Sequence, residues 1–210
     1  MTVPLTPLIV YLVSYVLGSI PFGILMARLF GGRDVRKAGS GNIGATNVAR
    51  VVGPLAGILT LLLDAAKGWF AVWIAARTMH GEAFAMALAG FFAMLGHCFP
   101  LWLRFRGGKG VATAAGVFGA LCPAAMLAAV ILFLLVVGFW RFVSLGSIAA
   151  AAAIPLLVYL LWAPQFAPPV SLTLVSLAIA ALVVYQHRGN ISRLARGEEP
   201  KFSFSKKDPA

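Results

Sequence analysis

Six long apolar runs dominate the chain, at 5–27, 54–76, 83–103, 111–139, 143–162 and 170–186, with short polar connections between them. Most approach the roughly 20 residues that a helix needs to cross a hydrocarbon core of about 30 Å. Helix is the expected form, because a segment in lipid must satisfy its backbone amides internally. The run 111–139 is the irregular one. As a single helix its 29 residues would reach about 44 Å at about 1.5 Å per residue, too long for one crossing. Proline removes a helical hydrogen bond and disfavours helix in the residue before it, so Cys122-Pro123 marks a break into two short crossings. The pattern predicts an all-α polytopic integral membrane protein with seven transmembrane helices.

Composition agrees: 61% of the 210 residues are hydrophobic and 11% are charged, where a soluble domain carries about a quarter charged residues. The net charge of +11 would suit nucleic acid, but its distribution points elsewhere. Basic residues gather at 28–50 (Arg28, Arg33, Arg36, Lys37, Arg50), at 104–109 (Arg104, Arg106, Lys109), singly at Arg141, and in the tail (Arg188, Arg193, Arg196, Lys201, Lys206, Lys207). Arg77 alone marks 77–82, and 163–169 has none. Basic loops stay on the cytoplasmic side of a membrane. With 28–50 inside, 77–82 lies outside and 104–109 inside, and two crossings over 111–139 return Arg141 and the tail to the inside. The N-terminus is then outside, the C-terminus cytoplasmic, and no nucleic-acid partner is implied. Residues 1–200 read as one membrane domain and 201–210 as a basic cytoplasmic tail. The opening "MTVPLTPLIV" has neither a basic region nor a small-residue cleavage site, so no removable signal is expected. Cys98 and Cys122 lie in apolar surroundings, and neither their number nor their spacing suggests a metal site or a disulfide framework.

Three polar stretches fall on the same predicted side, each at a helix end. The first, 37–50, reads "KAGSGNIGATNVAR" and contains GxGxxG at Gly39-Ser40-Gly41-Asn42-Ile43-Gly44. That pattern signals a dinucleotide site only between a strand and a helix, and a membrane helix precedes it here. Its glycines allow backbone amides to converge on an anion. Ser40, Asn42, Thr46 and Asn47 add neutral donors, and Arg50 offers a planar fork suited to phosphate. A flexible loop with ordinary positive-inside charge is the alternative, but the density of donors and the lack of any acidic residue in 37–50 favour an anion site.

The second stretch, "RFRGGKGVAT", places Gly107, Gly108 and Lys109 before a helix expected to begin near Val111. Free amides at a helix N-terminus beside a lysine form an anion site. It is not a Walker A loop: Leu103 stands five residues before Gly108 where glycine is needed, and Gly110 follows the lysine where Ser or Thr is needed. The third, "HRGNISRLARGEE", brings His187 and Asn190 to the end of the last span.

Asp64 and Lys67 lie inside an apolar run, three residues apart and so on one helical face. Ionisable groups at membrane depth pair or face a cavity, so this pair either fixes helix packing or supports the site. His97, in "GHCFP", reads as a hydrogen-bonded core histidine, and His187 as the better chemical candidate. No histidine is followed five residues later by aspartate, which excludes the mechanism of the soluble-headed acyltransferases that use acyl-CoA. A GxSxG elbow, a cysteine in polar surroundings and a carboxylate cluster for a metal are also missing, so no cofactor is expected.

"LGSIPFG", "GSGNIGATNVAR", "DAAKG", "GHCFP", "GGKGVAT" and "HRGNISRLARGEE" closely resemble the bacterial acyl-phosphate:glycerol-3-phosphate acyltransferases (the PlsY family) over about residues 10–200. The resemblance implies acyl transfer from acyl phosphate to the 1-hydroxyl of sn-glycerol 3-phosphate, giving lysophosphatidate and phosphate. It also implies seven spans in the bacterial cytoplasmic (inner) membrane, with an external N-terminus and a cytoplasm-facing site. By the same resemblance Ser40, Arg50 and Lys109 belong to the phosphate site; Gly41, Asn42, Thr46 and Asn47 join them as substrate-binding candidates on the reading of the loop itself. Ser147, Asn190 and His187 complete the contacts to glycerol phosphate, and Glu199 matches a recurrent glutamate while Glu198 does not. Glycerol 3-phosphate, acyl phosphate and membrane lipid are the implied partners, with a soluble acyl-phosphate-forming acyltransferase as a further candidate. Acyl phosphate is an activated mixed anhydride, so direct attack without an acyl-enzyme is expected, with either His187 or a substrate phosphate oxygen as base. The competing class is an organic-phosphate transporter using Asp64 and Lys67 for proton coupling. It lacks an evident inverted repeat, and the glycine loops lie on one side instead of at the midplane.

Overall fold

The computed structural model describes residues 5–32, 34–162 and 170–202. Arg33, the 163–169 connection, the first four residues of the N-terminal stretch, and Lys206 and Lys207 of the tail lie outside them. Among the described residues the chain is helical: α1 Leu5–Gly18, α2 Phe22–Gly31, α3 Ala45–Val51, α4 Pro54–Thr78, α5 Ala83–Cys98, α6 Val111–Leu121, α7 Pro123–Trp140, α8 Val143–Leu161, α9 Val170–Gln186 and α10 Arg188–Ala195, with a 3-10 turn at Leu101–Leu103.

Among the described residues, five segments are long and apolar enough to cross a membrane: Leu5–Gly31, Pro54–Thr78, Ala83–Leu103, Pro123–Trp140 and Val143–Leu161. A sixth is formed if α9 and α10, bent by 56°, are taken together. The expectation is of seven spans, two of them short. The break does fall at Cys122-Pro123, with the proline opening α7 where no amide proton is needed. It leaves α6 with 11 residues, about 16 Å of helix, roughly half the hydrocarbon thickness. The first apolar run is also interrupted, at Ser19-Ile20-Pro21, between α1 and α2.

The short α6 is held by close backbone contact with α4. A Cβ on Gly116 would collide with the carbonyl oxygen of Ala65, and one on Gly68 with that of Thr113. Gly18 and Gly96 play the same part between α1 and α5, where an added Cβ would strike the backbone of Ala93 and Tyr15. Small residues permit such approach where lipid supplies no hydrophobic drive for helices to associate. A core of Val72, Met94, Val117, Phe118, Ile154, Val158, Leu172 and Ile179 fills the interior. Leu8, Leu12, Leu62, Leu134, Leu135, Phe139 and Leu174 are exposed on the outside, as a lipid-facing surface requires. At the start of the expected tail, Phe202 N–H donates to the Arg141 carbonyl and Lys201 lies over the Phe142 ring. Residues 201–202 are thus fastened to the α7–α8 turn.

Candidate active site

In the first loop a single side chain sets the shape. Asn47, almost fully buried, accepts from Ser40 N–H at 2.7 Å through Oδ1. Its Nδ2 donates to the carbonyls of Val35, Ala38 and Asn42 at 2.9, 3.1 and 2.8 Å. Asn42 in turn accepts from Gly44 N–H at 2.8 Å. Gly41 turns the chain at φ 69, its amide bonded to the Ala38 carbonyl. Asn47 thus spends its side-chain amide on building the loop, whereas Asn42 engages only its Oδ1 there. Ser40, Thr46 and Arg50 make no side-chain hydrogen bond among the described residues, and all three line the central cavity.

The second loop corrects the sequence reading in a similar way. Gly107 and Gly108 donate their amides to the Cys98 and His97 carbonyls at 3.0 and 3.1 Å, so neither is available to an anion. Gln186 Nε2, at the end of α9, donates to the Gly108 carbonyl at 3.2 Å and braces the loop from behind. Gly110 takes φ 81 and caps α6 without a side-chain bond, leaving Lys109, Gly110, Val111 and Ala112 on the cavity wall. The helix N-terminus that opens on the cavity is therefore one step further along than Gly107 and Gly108.

In the third stretch, the bend between α9 and α10 buries His187 and Asn190. His187 Nδ1 lies 2.8 Å from the Val183 carbonyl. A carbonyl only accepts, so the proton sits on Nδ1 and Nε2 keeps its lone pair. Asn190 links two charges: Lys109 Nζ donates to its Oδ1 at 2.5 Å, and its Nδ2 donates to Glu199 Oε1 at 2.6 Å. Glu199 also accepts from Ser144 Oγ at 2.6 Å and from Arg193 Nε at 2.7 Å. Its carboxyl is pushed up by burial, but these three donors outweigh that and hold it below the usual range. Burial pushes the Lys109 ammonium down to about 8; Glu199 opposes that fall, while Arg193 and Arg50 add to it.

All three stretches open on one cavity of about 610 Å³. Of the residues picked out in the sequence, Ser40, Asn42, Thr46, Asn47, Arg50, Asp64, His97, Lys109, Ser147, His187, Asn190 and Glu199 line it, whereas Gly41, Lys67, Gly107 and Gly108 do not. Ser147 is half-engaged, its hydroxyl donating to the Val143 carbonyl at 2.9 Å. Lys67 lies behind Asp64, their charges 2.8 Å apart. His97 is buried as expected, but Nδ1 stands 3.6 Å from Asp64 Oδ1 and has no hydrogen bond. Leu61, Phe133 and Val143 give the cavity one apolar wall.

Sequence reasoning missed Ser144, Arg193 and Gln186. Ser144 lies three residues before Ser147, and Arg193 three after Asn190, so helical spacing alone would have put each on a site-facing stripe. Gln186 acts through its amide on a distant loop, and carries no such signal.

The model of the family described as glycerol-3-phosphate acyltransferase matches residues 8–197. A glycerol-3-phosphate acyltransferase from Jannaschia sp. (strain CCS1) is 51% identical over 190 residues, spanning 90% of this chain and 90% of that one. One from Syntrophotalea carbinolica is 49% identical over 195 residues, covering 92% and 96%. The crystal structure of PlsY, an integral membrane glycerol 3-phosphate acyltransferase, in its glycerol 3-phosphate form, superposes with a TM-score of 0.86 at 38% identity, covering 94% of this chain and 96% of that one. Its lysophosphatidic acid form gives a TM-score of 0.85 at 38% identity, covering 94% and 95%. The chain belongs to the glycerol-3-phosphate acyltransferase family.

Proposed function

We propose that this chain transfers a fatty acyl group from acyl phosphate to the 1-hydroxyl of sn-glycerol 3-phosphate, releasing 1-acyl-glycerol 3-phosphate and inorganic phosphate. One observation carries the reading: a single cavity joins Lys109 and Arg50 to the apolar wall of Leu61, Phe133 and Val143. Two phosphates and one acyl chain need both surfaces at once. Family membership sets aside the permease reading of the same loops, and PlsY itself was crystallised in forms with an acyl acceptor and its acylated product.

The hydroxyl oxygen forms a bond to the acyl carbonyl carbon while the bond from that carbon to the phosphate oxygen breaks, and the hydroxyl proton is lost. Phosphate is a good leaving group, so positioning and charge stabilisation supply most of the rate. Lys109 and Arg50, with the amides that open α6 and the Ser40 hydroxyl, hold phosphate oxygens. His187 Nε2 receives the hydroxyl proton. Asn190 and Glu199 act through Lys109, keeping its ammonium aimed into the cavity. Seven crossings follow if α6 counts as a short one and α9 as a full one, with the N-terminus outside and the site facing the cytoplasm of a bacterial inner membrane. Residues 1–200 then form one acyltransferase domain, and a soluble enzyme that makes acyl phosphate is a partner on the basic face.

The test uses purified protein in a lipid mesophase with palmitoyl phosphate and glycerol 3-phosphate, following phosphate release and lysophosphatidate. Product is expected from palmitoyl phosphate and none from palmitoyl-CoA; turnover of the thioester alone would reject the donor assignment. Glu199→Gln should lower kcat/KM about tenfold or more without loss of fold, because one amide oxygen cannot serve Ser144, Asn190 and Arg193 together. Activity equal to the unaltered protein would remove Glu199 from the positioning of Lys109.

A further inference from the structure

Past α10 the chain runs back along the turn between α7 and α8 in a fixed antiparallel order. Glu199 Oε1 accepts from Ser144 Oγ at 2.6 Å, Lys201 Nζ lies 5.8 Å from the centre of the Phe142 ring, and Phe202 N–H donates to the Arg141 carbonyl at 2.6 Å. Each step forward along the strap 199–202 is thus a step back along 144–141. The last pair is tied twice, because Arg141 Nε donates in return to the Phe202 carbonyl at 3.2 Å. Pro200 and Phe202 line the cavity beside Glu199, so the strap is one of its walls as well as the carrier of the carboxylate. A second observation singles out Arg141. It ends α7 with φ 64 and ψ 20, left-handed backbone that is costly for a residue with a Cβ and that glycine adopts freely. Glycine is the usual residue at such a helix end, so arginine there is explained by what its side chain holds.

We propose that Arg141 is a positioning residue for the transfer: by clasping Phe202 it fixes the register of the strap, and so sets Glu199 against Asn190 and, through Asn190, Lys109. The assignment rests on the acyltransfer reading above. Before Glu199 the chain is held at the end of α10, where the Gly197 and Glu198 amides donate to the Leu194 and Arg193 carbonyls at 3.1 and 2.8 Å. Beyond it the clasp supplies a second hold, three residues further on. Between these two points the carboxylate meets Ser144 of α8 together with Asn190 and Arg193 of α10. A slip of one residue would carry it about 3.3 Å along the strap, more than a hydrogen bond of 2.6 Å tolerates. The consequence is read at Lys109. Glu199 keeps charge on that ammonium, while Arg193 and Arg50, the other charged groups around it, act in the opposite sense. A strap released at its far end loosens the one favourable partner and leaves the two unfavourable ones in place.

Arg141→Gly separates this role from a merely structural one, since it removes the clasp while suiting the left-handed backbone. Thermal inactivation should be unchanged or shifted upward. By contrast, kcat/KM for transfer from palmitoyl phosphate to glycerol 3-phosphate should fall about three- to tenfold, as for loss of one hydrogen bond. The alkaline limb of kcat/KM should move down, in the same sense as for Glu199→Gln. In a Glu199→Gln background the change at Arg141 should add less than about twofold, because both act through one carboxylate. Arg141→Gln provides the same comparisons should glycine loosen the turn. Normal kcat/KM in a folded variant overturns the positioning role, as does a loss that adds in full to that of Glu199→Gln. Hydrogen exchange at the Phe202 amide, followed on the full chain by mass spectrometry, reads the clasp without catalysis and should quicken about three- to tenfold in Arg141→Gly. Unchanged exchange there rejects the clasp alone, whereas an unaltered protein with no turnover from palmitoyl phosphate rejects the acyltransfer reading and the positioning role with it.

Discussion

Lys109→Ala should lose at least about a thousandfold in kcat/KM while keeping its fold. Removing one preorganised donor from a site of developing negative charge typically costs a hundred- to a thousandfold, and in the proposed mechanism the donor is also the charged anchor for phosphate. The fold should survive because the loop does not depend on this side chain. Gly107 and Gly108 are bonded to Cys98 and His97, Gln186 grips the Gly108 carbonyl, and among the described residues the Lys109 side chain bonds only to Asn190. Phosphate release, measured beside thermal inactivation of the same sample, checks both halves. Normal kcat/KM in the variant would place phosphate recognition elsewhere. Arginine should not restore the rate, since a planar fork cannot reproduce a compact ammonium held by a single carbonyl oxygen.

The same lysine fixes a pH window. With its ammonium pushed down to about 8 by burial, the free protein loses the positive charge as pH rises through that value. The acceptor phosphate becomes a dianion above about pH 6. The profile of kcat/KM should therefore rise through about 6 and fall above about 8, since that ratio reports groups of the free enzyme and free substrate. Bound phosphate favours the charged lysine, so the alkaline limb of kcat should lie higher than that of kcat/KM. In Glu199→Gln the alkaline limb should move down, because Glu199 is the group that opposes the fall. A limb unmoved by that change would assign it to another residue.

Much of this arrangement was legible from pattern. The break at Cys122-Pro123, the helix starting at Val111 and the end of the last span beside His187 all follow from rules of chain stereochemistry that need no tertiary context. The convergence of three polar stretches was also readable, because unsatisfied backbone and charge at membrane depth must share a cavity. Direction was not readable. Asn42 and Asn47 carry the right groups for binding, but Asn47 donates to the loop carbonyls of Val35, Ala38 and Asn42, and the two side-chain oxygens accept from the Ser40 and Gly44 amides. Gly107 and Gly108 spend their amides on carbonyls left free where α5 ends. The length of α6 escaped for a related reason. Hydropathy measures length and polarity, whereas α6 is short because it leans along α4, a fact written in Gly68 and Gly116 and visible only once the two backbones are face to face.

Those glycines carry the largest expected effect on stability. At Gly116 a Cβ would overlap the Ala65 carbonyl oxygen, a backbone atom that cannot rotate away. Alanine there must push α6 off α4, and overpacking against backbone is expected to cost about 3 kcal/mol or more. Gly119, one turn along the same helix, has no atom within 4 Å of the corresponding position. Gly119→Ala should leave thermal stability unchanged or raise it slightly, because glycine is the poorer helix former. The pair forms an internal control: same helix, same substitution, opposite surroundings. Activity should follow the same division at temperatures where both variants are folded. Asp64 rides on α4 and the Lys109 loop leads into α6, so separating the two helices pulls opposite walls of the cavity apart. Gly116→Ala with unaltered inactivation temperature and normal turnover would mean that α4 and α6 stand further apart than the contact at Ala65 requires, and that the cavity is positioned by other helices.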